Sequence, residues 1–166
     1  MRKTTTYARN RARQTRASDG ITIARMHNTR LTEAERNRIL VPCRRAVEAF
    51  RTGCGTYDQF VVLCTAGHVA QAMEDGGVIR GQREVIDEAN TVLDAIGDRA
   101  GRSAAEWRTT TLRGHEITAL MHLVAAHSRQ VHEYTYGEYT KAADKAHARV
   151  ASSGGQVFRM ETSVPA

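Results

Sequence analysis

Aromatic residues and cysteines are scarce in this chain of 166 residues, and long apolar runs are missing. Aromatic residues make up only 5% of the chain, so a core must be built mainly from aliphatic side chains. The three cysteines, Cys43, Cys54 and Cys64, are odd in number and show no C-x-x-C spacing, which argues against a disulfide framework. No apolar run approaches the roughly 18 residues that span a bilayer, and the opening lacks the apolar segment of a secretory signal. We therefore expect a cytoplasmic protein without membrane contact.

The overall composition is that of a folded domain. Hydrophobic residues make up 41% of the chain and charged residues 25%, which are ordinary globular values. A chain of this length buries enough surface for one domain without disulfides or metals. We therefore expect one folded domain.

Acidic residues are absent before Asp19, and this absence makes the opening strongly basic. Residues 1–16 carry six basic side chains, so the remaining 150 residues sum to zero charge, given the formal net charge of +6. By contrast, residues 56–98 hold eight acids against two arginines. The pattern predicts a neutral, polarised body with a basic arm, and a basic arm suits an anionic partner.

Three capping boxes mark predicted helix starts. Each has a threonine followed three residues later by Glu or Gln, so that the two residues bond to each other's free backbone amides. The boxes begin at Thr32, Thr56 and Thr135. Apolar residues at helical spacing follow each box.

Two residues interrupt the predicted helices. Pro42 lies inside the stripe that runs from Ile39 to Phe50, so we expect a kink or a split near residues 40–41. Gly67 lies in the middle of a second helix that is apolar on nearly all sides, and we expect a neighbouring helix to approach closely there.

Two further helices are predicted from periodicity. The stripe from Val85 to Ile96 indicates a third helix with an acidic outer side. A long fourth helix is expected from about residue 113 to 134. We expect its inner side to be formed by Ile117, Leu120, Met121, Val124, Ser128 and Val131. Residues 107–112 are β-prone, and they suggest one short β pair with residues 156–160.

The predicted fold is all-α, an antiparallel bundle of about five helices, since short connections make sequential helices neighbours. We expect a flexible basic N-terminal arm over residues 1–30, a helical domain over 31–155 and a C-terminal tail over 156–166. The long fourth helix is a candidate for an isologous contact, so a homodimer stays an open alternative.

The basic arm carries the clearest functional signal. Arginines bind phosphate through charge-assisted bonds, and a tyrosine can stack on a base. The candidate partner-binding residues of the arm are Arg2, Lys3, Tyr7, Arg9, Arg11, Arg13 and Arg16. The first helix adds Arg38, Arg44 and Arg45, with Arg36 and Arg51 nearby. Contact with an acidic protein and a simple solubilising role remain alternatives.

Catalytic and metal motifs are not found, so we expect no cofactor and no metal. His115-Glu116 begins a zincin-like pair, but Ala119 stands where the second histidine belongs. Cys64 and His68 are four residues apart, a spacing that allows a thiolate–imidazole pair, although core packing is the favoured interpretation. A recognition helix over residues 82–96 would be acidic, which argues against a helix-turn-helix.

The opening Arg2-Lys3-Thr4-Thr5, followed by residues 7–13, resembles the start of small uncharacterised accessory proteins of phages and prophages of Gram-negative bacteria. This resemblance implies that the protein is a regulator or an inhibitor of host defence, as anti-CRISPR proteins are, and that it acts by binding. We therefore expect a non-enzymatic protein that binds a host protein or nucleoprotein complex. The alternative is a regulator that holds DNA or RNA with the basic arm.

Overall fold

Five helices occupy most of residues 33–152 and confirm the all-α prediction. The structure is a computed structural model that describes residues 20, 24 and 27–152. In chain order the helices are α1 (Glu33–Arg51), α2 (Tyr57–Gly76), α3 (Arg83–Ala100), α4 (Gly114–Glu133) and α5 (Tyr136–Ser152). None of the helices in this part of the chain combines the length and apolar character that crossing a membrane requires.

All three predicted capping boxes are formed. The Thr32 amide donates to the Glu35 carboxylate at 2.7 Å, and the Glu35 amide donates to the Thr32 hydroxyl at 3.3 Å. Thr56 with Gln59, and Thr135 with Glu138, repeat the arrangement. Each box satisfies backbone amides that the first turn of a helix leaves free, so local sequence sets these helix starts.

The first four helices form a bundle in which α1 and α3 lie on opposite sides of the α2–α4 pair. Helix α2 packs against all four other helices, and α4 packs against α1, α2 and α3. A Cβ on Gly97 would lie 3.0 Å from the Phe60 ring, whereas Gly67 faces Asn90 and Leu93. These contacts show that α2 and α3 run antiparallel, and they confirm the close approach predicted at Gly67.

The core has two parts along the bundle. One part lies at the end formed by the α1–α2 turn and the segment before α4, and it includes Phe50, Leu63, Ile96 and Leu120. The other part lies where α5 joins, and it includes residues of α1, α2, α4 and α5. Burial of α2 on several sides explains why its sequence is apolar almost all round.

Helix α5 packs against α2 and not along its predecessor α4, although only two residues connect α4 to α5. The expectation that short connections make neighbours is therefore wrong at this junction. Tyr134 has an extended backbone, with φ −75° and ψ 144°, so the chain turns a corner there. The Tyr134 hydroxyl donates to the Met73 carbonyl of α2 and holds this corner in place.

Helix α1 continues through Pro42 as one element, so of the predicted kink or split, the split is wrong. A proline removes one helical hydrogen bond, to the carbonyl four residues earlier. That carbonyl belongs to the exposed Arg38, while Cys43, Ala46 and Val47 just beyond the proline are buried in the core. Packing on both sides of Pro42 therefore offsets the missing bond.

The predicted inner side of α4 is wrong in one respect. Met121 is 54% exposed, whereas Glu116, His127 and Gln130 are buried. Two of them bond to neighbouring elements: the Gln130 amide donates to the Ala70 carbonyl at 3.0 Å, and Glu116 accepts from Arg99 at 2.9 Å. His127 Nδ1 and Gln130 Oε1 are buried without a hydrogen-bond partner in the described part of the chain. A prediction that counts only apolar residues therefore places Met121 on the inner side of α4 and misses the buried polar residues.

Residues 107–112 do not form the predicted β-strand. Trp107 instead joins an aromatic cluster, with its ring 5.1 Å from Phe60, 5.7 Å from Tyr57 and 6.1 Å from Phe50. Its indole nitrogen donates to the Gly55 carbonyl at 3.0 Å. The other half of the predicted β pair, residues 156–160, lies outside the described residues. The segment between α3 and α4 is therefore held by side-chain packing.

Substituting Gly55 by alanine tests this packing. A Cβ at Gly55 would lie 2.5 Å from the buried Phe50 ring. Overpacking of this kind typically costs about 1–3 kcal/mol, so we expect Gly55→Ala to lower the free energy of unfolding by that amount in urea titrations. Gly114→Ala is the matched control, since a Cβ there meets no atom within 4 Å. Equal stability of the two variants would contradict this account of the aromatic cluster.

Candidate anion-binding face

The first helix presents three exposed arginines, Arg38, Arg44 and Arg45, which we call the α1 basic face. The opposite side of α1 is buried through Ile39, Leu40, Cys43, Ala46, Val47 and Phe50. Since α1 is anchored by this apolar stripe, the three arginines are held on a rigid element. Arg38 and Arg45 are seven residues apart, which places them about 10 Å apart along the helix axis.

The three arginines of the α1 basic face form no ion pair with any residue that the structure describes. Two neighbouring arginines differ. Arg51 binds both carboxylate oxygens of Glu48, at 2.7 and 2.9 Å, and this contact lowers the pKa of Glu48. Arg36 is half-buried and donates to the Leu31 carbonyl. The predicted basic surface of α1 is thus concentrated in three residues.

The arm residues that sequence analysis selected lie outside the described residues. They are Arg2, Lys3, Tyr7, Arg9, Arg11, Arg13 and Arg16. The chain is described without a break from residue 27, where His27 contacts the Tyr136 ring edge-on at 5.8 Å.

Residues 27–30 pack against the start of α5 and lead directly into α1. The Tyr136 amide donates to the Thr29 carbonyl at 2.8 Å, and Arg30 forms an exposed ion pair with Glu133 at 2.9 Å. A Cβ on Gly137 would lie 2.8 Å from the His27 carbonyl oxygen, so glycine allows the close approach. The segment just before α1 is thereby fixed to the end of the bundle where α5 begins.

Helix α3 carries exposed acids on the other side of the molecule. We call Glu84, Asp87, Glu88, Asp94 and Asp98 the α3 acidic face. Arg102 binds Asp98 at 2.6 Å and lies 3.6 Å from Asp94, which offsets part of the charge at one end. Because α1 and α3 flank the α2–α4 pair, the protein has one basic side and one acidic side.

The thiols of Cys43, which is buried, and Cys64, which is half-buried, are poorly suited to nucleophilic chemistry. Burial raises the pKa of Cys43 to about 11 and that of Cys64 to about 12. Burial also lowers the pKa of His68, the histidine one turn beyond Cys64. Both shifts oppose a thiolate–imidazolium pair, since each disfavours the charged form.

Of the four buried polar residues in the described part of the chain, only His127 was predicted from the sequence to be buried; Glu74, Glu116 and Gln130 were not. Burial alone would raise the pKa of Glu116, but hydrogen bonds from Arg99 and from the Arg113 amide outweigh it and lower that pKa. These bonds measure 2.9 and 2.7 Å. Glu116 stands three residues after Arg113, at the Glu position of a helix start, and that spacing was the available signal. Glu74 and Gln130 gave no comparable local signal.

His127 was predicted to be a core histidine, and it is buried with only 1% of its surface exposed. Burial lowers its pKa from 6.5 to about 4, although a contact with Gln130 acts in the opposite direction. The ring borders a cavity of about 20 Å³, whose other walls include Cys43, Val69 and Tyr139. That volume fits about one water molecule. His127 therefore stays neutral at neutral pH.

Comparison with known proteins assigns no family to the chain. No family model, no curated protein and no solved structure matches it.

Stability should fall as the pH drops below 6.5. Because the pKa of His127 is lower in the folded protein than in the unfolded chain, unfolding takes up a proton between pH 6.5 and about 4. The shift corresponds to about 3 kcal/mol over that window, and the lowered pKa of His68 acts in the same direction. Urea titrations at a series of pH values measure this loss.

Variants of two histidines on α4 test whether His127 causes this loss of stability at low pH. His127→Leu should remove most of the dependence of unfolding free energy on pH between 6.5 and 5, whatever it does to stability at neutral pH. His122→Gln changes an exposed histidine of the same helix and should retain the dependence. An unchanged pH dependence in His127→Leu would show that other groups govern it.

Proposed function

We propose that the protein acts by binding an anionic macromolecular partner through the α1 basic face. The observation that carries this proposal is the set of three exposed arginines on one anchored helix, none paired with a described carboxylate. Arginine recognises phosphate and carboxylate groups through charge-assisted, often bidentate bonds. Arginines held on a rigid helix lose less conformational freedom when they bind, so the face is well prepared for a partner.

The opposite placement of charge supports a defined direction of approach. A polyanion is attracted to the α1 basic face and repelled by the α3 acidic face. Such an asymmetric field orients a charged partner before contact and raises the association rate. The basic residues 1–16 enter the chain ahead of α1, and they add positive charge that acts on the same kind of partner.

The partner that we favour is a host nucleoprotein or protein complex, in the setting of a phage or mobile-element accessory protein. A nucleoprotein offers phosphates to the arginines and an apolar protein surface nearby. Met121 is exposed on α4, the helix that packs against α1, and it provides an apolar side chain for such a surface. Inhibition of a host defence system is the activity that the resemblance of the opening implies.

The second candidate is a regulator that binds DNA or RNA alone. The absence of large exposed apolar side chains among the residues of α1 favours it, because binding to phosphates depends on charge and not on apolar burial. The α1 basic face offers three positive charges over about 10 Å, a length that spans adjacent phosphates of a nucleic-acid strand.

Fluorescence anisotropy with labelled duplex DNA and single-stranded RNA tests the α1 basic face. We expect the variant with Arg38→Gln, Arg44→Gln and Arg45→Gln to bind at least tenfold more weakly at low salt. With duplex DNA the slope of log K against log salt should fall by up to about 2.7, at roughly 0.9 for each phosphate that the variant no longer neutralises. A chain that begins at residue 17 measures the contribution of the basic opening.

A matched triple variant controls for net charge. Arg102→Gln, Arg108→Gln and Arg113→Gln remove the same charge from exposed positions between α3 and α4, and binding should then weaken much less. Equal weakening in the two variants would mean that overall charge, and not the α1 basic face, governs affinity. If the intact chain binds neither nucleic acid at low salt, the regulator is excluded. Capture of a host complex that depends on Arg38, Arg44 and Arg45 would then support the favoured partner, and its failure would refute the proposal.

A further inference from the structure

The side of α2 that faces between α3 and α5 is only partly covered. Both helices pack on α2, but they do not pack along each other, so they leave a strip of α2 open between them. Val61, Cys64 and His68 form this strip, which we call the α2 strip. They are three and four residues apart on one side of the helix, and all three are half-buried. The strip is separate from the α1 basic face, so an inference about it does not depend on the proposed function.

Charges on both flanking helices act on the α2 strip. Besides burial, the carboxylate of Asp94 on α3 contributes to the shifted pKa values of Cys64 and His68. The guanidinium of Arg149 on α5 also contributes to the shifted pKa of His68. Such contributions fall with distance, so the strip lies near both groups. The α2 strip therefore has an acid on its α3 side and a base on its α5 side.

One end of the α2 strip lies beside the end of α5. Asp75 follows His68 by seven residues and therefore stands two turns further along the same side of α2. Its carboxylate binds Arg83 at 2.7 Å and lies 3.6 Å from Arg149, so it joins the start of α3 to the last turns of α5. Helix α5 ends at Ser152, less than one turn after Arg149. The chain therefore leaves α5 beside this end of the strip.

The fourteen residues that follow α5 lie outside the described residues, and their sequence groups large apolar side chains together. Val157, Phe158 and Met160 fall within four positions. The other two phenylalanines of the chain, Phe50 and Phe60, are buried in the core. Because large apolar side chains gain free energy when they leave water, this segment suits a helix side that is partly apolar and open.

The segment is also long enough to reach the α2 strip. Cys64 stands eleven residues before Asp75, which is about 16 Å along the axis of α2. Phe158 stands six residues after Ser152, and an extended chain covers about 20 Å over that length. Residues 154–155 are both glycine, which lets the chain reverse its direction after α5 without steric cost.

We propose that the α2 strip binds the chain's own C-terminal segment, residues 156–160. In an extended segment Phe158 and Met160 share one side, and this side contacts the strip. Arg159 lies between them, where its charge complements Asp94, an exposed acid on the α3 side of the strip. A tethered segment has an effective concentration on the order of millimolar, which favours it over the same segment of a second copy.

Labelling of the full chain with N-ethylmaleimide tests the proposal, because a bound segment covers the Cys64 thiol. Mass spectrometry of peptides gives the labelling rate at each cysteine. We expect Cys64 to react about tenfold faster in the variant with Phe158→Ala and Met160→Ala, the factor expected when the segment is bound about ten times as often as it is free. An unchanged rate at Cys64 would overturn the proposal.

The other two cysteines are internal controls. Cys54 is exposed and should react at the same rate in the intact chain and in the variant. Cys43 is buried in the core, so its labelling reports unfolding of the bundle and should stay slow in both. Faster labelling at Cys43 and Cys64 together would show that the substitutions loosen the whole fold, and the proposal would then be wrong.

Two further variants locate the contact within the segment. Phe158→Leu keeps a large apolar side chain and should retain most of the protection of Cys64. Val164→Ala removes an apolar side chain outside residues 156–160 and should leave the labelling rate of Cys64 unchanged. If Val164→Ala accelerates labelling as much as the double variant, residues 156–160 are not the occupant and the proposal is overturned.

The dependence on protein concentration separates the chain's own segment from that of a second copy. An intramolecular contact protects Cys64 equally over a roughly hundredfold range of protein concentration, because only association between copies follows mass action. Constant protection over this range supports the proposal. Protection that grows with concentration would mean that a second copy supplies the segment, and it would overturn the intramolecular contact.

Discussion

The burial of α2 by four neighbouring helices is the constraint on which the rest of the structure depends. An α-helix that is apolar on nearly all sides is stable in water only when other elements cover each side. Helices α1, α3, α4 and α5 supply that cover. Gly67 removes a side chain where α3 comes close, and the aromatic cluster around Trp107 closes one end of the bundle. Removing any one neighbour would expose a face of α2.

Covering α2 also explains the polar residues inside the protein. The Gln130 amide and the Tyr134 hydroxyl both donate to backbone carbonyls of α2, at Ala70 and Met73. These bonds tie α4 and the corner that follows it to α2, with a directionality that apolar contact lacks. His127 lies one turn before Gln130 on the same side of α4, and its neutral ring is part of the same packing.

The separation of charge is a consequence of the same arrangement. Both α1 and α3 pack on the α2–α4 pair from opposite sides, so the outer surfaces of α1 and α3 point away from each other. Arginines on one and acids on the other therefore do not neutralise each other, and both faces stay available. Local pairs, such as Arg51 with Glu48 and Arg102 with Asp98, offset individual charges.

Sequence patterns predicted the helices well where the governing interactions are local. The three capping boxes bond residues three positions apart, and the stripe on α3 follows the helical period, so both can be recognised in sequence. Exposure of Arg38, Arg44 and Arg45 was also predictable, since the apolar stripe of α1 leaves them on its outer side. Met121 and residues 107–112 were misjudged because the burial of Gln130 and the packing of Trp107 against residues distant in sequence leave no local pattern.

The sequence by itself determined where helices begin, which sides are apolar and where charge is concentrated, because these depend on residues a few positions apart. Tertiary structure alone decided that α5 covers α2 instead of α4, and that Pro42 is tolerated within α1. It also decided that α3 and α5 leave a strip of α2 open between them. Each of these outcomes depends on contacts between helices, whose energies are summed over surfaces that no single segment contains.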